Sequence, residues 1–178
     1  MSLTLATWLM AIALLIPGLM LVWNGEPVRR QSLAFLRSKR AAVIVFGAAA
    51  LGFLWHVAHL GEADFGNYRH YLLLFFGLVA LLAYRVTPDF LPVRGAAILV
   101  LLAAAQLLDA AYMQPQGGRL VLVTLVYSGI LVALFLGTVP YRLRDFMVWL
   151  YANPQRPRAL GAGFTLAAVA LIGASFTY

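Results

Sequence analysis

Six apolar runs divide this chain, and each is long enough, or nearly so, to cross a membrane as a helix. A hydrocarbon layer of ~30 Å needs about 20 helical residues. The runs are Leu3–Trp23, Ala41–Leu60, Tyr71–Tyr84, Gly95–Met113, Leu120–Val139 and Ala159–Tyr178. The third is the shortest and extends a little at each end. None alternates apolar and polar residues, which excludes the strands of a membrane β-barrel. The chain is 63% hydrophobic and 11% charged, whereas a soluble domain carries about a quarter charged residues. So little charge cannot cover a water-facing surface, so lipid is the outer solvent. The sequence therefore predicts one all-α domain over residues 1–178, a polytopic helical membrane bundle with six transmembrane helices.

The basic residues orient the spans. Odd-numbered connections hold Arg29, Arg30, Arg37, Lys39, Arg40, Arg85, Arg94, Arg142, Arg144, Arg156 and Arg158. Even-numbered connections hold only Arg69 and Arg119. Basic residues collect on the cytoplasmic side of spans. The rule places the odd connections in the cytoplasm and both termini on the non-cytoplasmic side. Dropping any one span would scramble that alternation. The first run has no basic residue before Arg29 and is too long for a signal-peptide core, so it reads as an uncleaved span. The expected location is a bacterial cytoplasmic (inner) membrane. The net charge of +7 is then a topology signal and an attraction to anionic headgroups. No nucleic-acid partner is expected.

No cysteine is present, which removes disulfides, thiolate metal sites and cysteine nucleophiles. No Walker, GxSxG, GxGxxG or HExxH pattern occurs. His56, His59 and Glu62 come nearest to a zinc-hydrolase pattern, but no glutamate stands between the histidines. Two cytoplasmic connections look amphipathic. Val28–Leu36 reads as a short surface helix. Tyr141–Tyr151 reads as another, with Arg142, Arg144 and Asp145 on one side and Phe146, Trp149 and Leu150 on the other. Asp89 reads as a cap for the fourth span. No internal repeat of the kind found in many transporters is visible.

Ionisable residues within a span need a reason. His56 and His59 lie three apart on the second span and share a helix face with Gly52 and Ala48. Small residues at that spacing predict close helix contact, with the histidines turned into the bundle. On the fourth span Gln106 and Asp109 form a second polar stripe. Tyr127 lies at similar depth on the fifth. Glu62, Asp64 and His70 belong to the connection Gly61–His70. Together these residues predict one polar layer about 7 Å below the outer boundary, opening between the second, fourth and fifth spans. Three roles fit such a layer. It can hold the helices in register by hydrogen bonds. It can be a ligand or proton site, such as a pocket for a quinone headgroup. It can bind a metal or haem through His56, His59 and His70; the first two share a helix and cannot bracket one haem.

The expected function is a non-catalytic subunit or assembly component of a larger membrane complex, because the connections are too short to house a soluble active site. Its partners are the lipid bilayer and other membrane subunits or copies of itself. The alternatives are a redox protein linked to quinone or haem through the outward His/Asp layer, and a small oligomeric ion or proton transporter.

Overall fold

The computed structural model describes residues 1–178. The Ser2 hydroxyl accepts a bond from the Leu5 amide and opens α1, Leu3–Trp23, which runs through Pro17. Asn24 ends it in the left-handed region, which an Asn tolerates better than most residues. α2, Glu26–Phe35, has Pro27 in its first turn, where the missing N–H costs nothing. The Ser38 hydroxyl caps α3, Lys39–Ala58, by accepting from the Ala41 amide. α3 contains one wide π turn at Ala42–Phe46. Next come α4, Arg69–Val86, α5, Leu91–Ala111, and α6, Arg119–Thr138. α7, Tyr141–Tyr151, and α8, Gln155–Ser175, complete the chain. The fold is all-helical. Six helices (α1, α3, α4, α5, α6 and α8) are long and apolar enough to cross a membrane.

Several boundaries depart from the apolar runs. α3 stops at Ala58, because His59 leaves the helical region at φ −107. α5 begins at Leu91 with Pro92 in its first turn, and ends at Ala111 where Tyr112 becomes extended. Asp89 does not cap it: Phe90, at φ 58, precedes the helix without a side-chain cap. α8 begins at Gln155 and takes Pro157 into its first turn.

Glycines set the closest crossings. α1 and α8 run antiparallel in the most extensive contact of the fold. A Cβ on Gly161 would lie 2.6 Å from the Gly18 carbonyl oxygen and 2.7 Å from the Val22 nitrogen. Further along this seam the buried Thr7 hydroxyl meets the Tyr178 hydroxyl at 3.0 Å. α5 and α6 form the second antiparallel pair. α3 lies along α5, and a Cβ on Gly95 would lie 2.6 Å from Phe46 Cα, within the π turn. α4 packs extensively only on α3, through Phe53–Phe76 and Phe46–Tyr84 edge-to-face pairs. The largest core joins Leu3, Ala6 and Ala11 of α1 to Ala104, Leu122 and Leu171 of the neighbouring spans.

The spans α1, α5, α6 and α8 therefore cluster around one core, α3 flanks α5, and α4 lies outermost on α3. Exposed area agrees with an open shape. A compact soluble protein of this mass would expose about 8,500 Å²; this chain exposes 11380 Å².

One end of the bundle gathers the three connections with the basic residues. Leu36, Phe90 and Val93 form a small cluster there, backed by Phe35, Leu136 and Leu143. The Arg37 guanidinium lies over the Phe90 ring at 5.4 Å. α2 touches α7, and the Tyr151 hydroxyl donates to Ser32 Oγ at 3.2 Å. Both expected surface helices form and meet in this basic collar.

Candidate functional site

At the opposite end, the last turn of α3 carries His56 and the residue after it is the cap His59. Each ring is tied to its own helix. His56 Nδ1 is 2.8 Å from the Gly52 carbonyl oxygen, and His59 Nδ1 is 2.8 Å from that of Trp55. A carbonyl only accepts, so Nδ1 carries the hydrogen in both rings, and the neutral imidazole leaves an Nε2 lone pair free. The His59 ring also lies against the Trp55 indole, centroids 4.3 Å apart.

Both histidines line a shallow open groove of about 630 Å³ between α3 and α5, with Gln106 across from them and Gly52 and Leu102 along its floor. The structure thus brings together His56, His59 and Gln106. It does not bring in the rest of the predicted layer. Asp109 and Tyr127 are exposed and lie outside the groove. Glu62, Asp64 and His70 are exposed on and beside the connection. No three His, Asp or Glu side chains come together as a set that could hold a metal ion.

Two expectations are corrected. The histidine face does not turn into the bundle: His56 and His59 are exposed. The face that packs inward is Ala42, Phe46, Ala49 and Val57. Gly52 does approach α5, 3.1 Å from Leu102 Cδ1 to its hypothetical Cβ, so the histidines sit at the lip of that interface. The polar residues also lie closer to their helix ends than the apolar runs predict. His56 and Asp109 each lie two residues from their helix ends, about 3 Å by the α-helical rise.

A contact at the end of α5 is structural. Arg119 Nη1 donates to the Ala111 carbonyl at 3.1 Å and satisfies an orphan acceptor at the end of α5. At the basic collar, α7 brings its aromatic and charged residues into close contacts. Phe146 and Trp149 stack 5.8 Å apart, and Arg156 lies over the Trp149 ring while donating to its carbonyl at 2.7 Å. Arg144 pairs with Asp145 at 2.8 Å. Arg142 has no acidic partner and its guanidinium lies 5.8 Å from the Tyr141 ring centre.

Sequence reasoning missed a large, laterally open apolar groove. It lies beneath this collar, about 700 Å³, with walls from α1, α6 and α8 and a roof from α2 and α7. No pattern in the sequence announces it, because its lining is ordinary apolar helix.

No protein-family model, curated protein or solved structure matches the chain.

Proposed function

We propose that this chain is a non-catalytic subunit or assembly component of a larger membrane complex and docks through α4. One observation carries the reading: α4 is the one candidate span with no buried residue. Its outer face presents Tyr71, Leu74, Leu78 and Leu81, from 56% to 75% exposed. Their 3-4-3 spacing is that of a seam between two helices crossing at a shallow left-handed angle. Beside it, Gly47, Ala50, Gly77 and Ala80 line a groove of about 630 Å³ between α3 and α4. In lipid, where apolar burial drives nothing, small residues that admit a close backbone favour association. The partner is a transmembrane helix of another polypeptide.

A photoreactive residue at Leu74, Leu78 or Leu81 should cross-link to one defined polypeptide in native membranes. The same residue at Ile12 or Leu19, exposed on α1, should capture lipid alone. The reading fails if the α4 positions also capture only lipid and the chain purifies alone in mild detergent.

The same reading places the basic collar in the cytoplasm of a bacterial inner membrane. The lack of cysteine makes this easy to test. Asn67→Cys, in the connection before α4, should react with a membrane-impermeant maleimide on intact spheroplasts. Asn153→Cys, between α7 and α8, should react only after permeabilisation. The reverse pattern would invert the topology.

A further inference from the structure

The open groove beneath the basic collar has a second chamber. A second open groove of about 350 Å³ adjoins it, and Val132, Leu136, Leu143 and Phe164 line both. The larger chamber starts at Val28 and Met147 of the two surface helices and follows α1 and α6 inward. The smaller starts at Phe35 and Val93 and reaches Met10 and Leu125, near the middle of their spans. Both chambers thus run from the collar toward the centre of the bundle. Their sizes fall within the range of about 300–1,000 Å³ in which proteins hold small molecules.

Their chemistry is one-sided. Ser32, Arg142 and Tyr151 are the polar residues around the larger chamber, and Ser32 and Tyr151 already bond to each other. Ser128 is the one polar residue of the smaller chamber, and its hydroxyl donates to the Thr124 carbonyl. That leaves Arg142 as the single unneutralised charge. It belongs to the headgroup end, among an excess of other arginines.

We infer that the twin groove is a binding site for one anionic diacyl glycerophospholipid, with an acyl chain in each chamber and the phosphate at Arg142. Paired apolar chambers match two chains joined at one head. Their direction matches that of chains hanging from a headgroup. A free cation at the mouth matches a phosphate, and basic pockets between spans are known to hold anionic headgroups. The inference does not depend on how α4 is occupied.

Native mass spectrometry of the full chain, extracted in mild detergent, tests it. The wild type should carry one phospholipid. After delipidation it should rebind phosphatidylglycerol in preference to phosphatidylcholine of the same chains. Arg142→Gln, at an exposed position that leaves the fold intact, should weaken phosphatidylglycerol about fivefold, the effect of one arginine near an anionic surface. Arg144→Gln, already paired with Asp145 and outside the lining, should change binding little. Met147→Trp should block the larger chamber and remove lipid of both kinds. The inference is overturned if wild type retains no stoichiometric lipid, binds both headgroups equally, or carries an isoprenoid quinone instead. Unchanged binding in Arg142→Gln, or an equal loss in Arg144→Gln, overturns it as well.

Discussion

Gly161→Ala should destabilise this protein by about 1–3 kcal/mol through overpacking at a rigid helix crossing. The new carbon would lie 2.6 Å from the Gly18 carbonyl oxygen, 2.7 Å from the Val22 nitrogen and 2.9 Å from Leu21 Cβ. Two of those atoms are backbone, so no side chain can rotate away. The helices themselves must separate. Once they do, the loss spreads along the seam, because a gap of 0.5–1 Å forfeits a quarter to a half of each dispersion contact. It would also strain the Thr7–Tyr178 hydrogen bond and the one from Asn24 to the Pro154 carbonyl. Gly163→Ala is the matched control on the same helix. Nothing lies within 4 Å of its added carbon, and an alanine favours a helix interior by roughly 0.5–1 kcal/mol over glycine. Thermal unfolding in detergent should show a midpoint several degrees lower for Gly161→Ala and an equal or higher one for Gly163→Ala. Equal midpoints for the two variants would mean that α1 and α8 do not cross at Gly161.

Gly95→Ala should be nearly as costly, but its damage should be confined elsewhere. Its added carbon would lie 2.6 Å from Phe46 Cα and 2.7 Å from the Phe46 nitrogen. Phe46 closes the π turn of α3, so the collision falls where the helix is already wound wide. α3 joins α4 to the rest of the bundle through α5. Pushing α3 away should therefore loosen α3 and α4 together and leave the α1–α8 seam intact. Hydrogen exchange should quicken in Lys39–Val86 and stay unchanged in α1 and α8. Gly77→Ala, which meets open space, should leave both regions as they were. Because the two crossings share no residue, Gly95→Ala and Gly161→Ala should add in the double variant. Uniform exchange across all spans would show that the bundle behaves as one cooperative body.

The six helices were legible because hydropathy is a local property that survives any arrangement of neighbours. The two surface helices were legible for the same reason: α7 spans the residues its pattern marks, and α2 differs from its pattern by one or two at each end. Span ends were harder. His59, Tyr112 and Phe90 break or precede helices by their backbone angles, and their side chains do not advertise it. The facing of α3 was harder still. Ala48–Gly52 and Ala42–Phe46–Ala49 are both small or apolar stripes, one residue of rotation apart, which is about 100°. Choosing between them needs the position of Gly95 on another helix and the extra residue of the π turn. Neither leaves a mark on composition. The site drawn across three spans failed on that rotation, because turning α3 by one residue carries His56 and His59 from the interior to the lip of a groove.

The α1–α8 crossing also carries a timetable. Gly18 and Gly161 lie about 140 residues apart, so at 5–20 residues per second the ribosome needs roughly 7–30 s to supply the partner that α1 packs on most. Throughout that interval α1 sits in the membrane with its closest-packing face unmatched, open to insertion factors and to proteases. The most intimate contact in the finished fold is thus among the last that synthesis permits, and a chain that stalls before α8 is left without the partner of its first span.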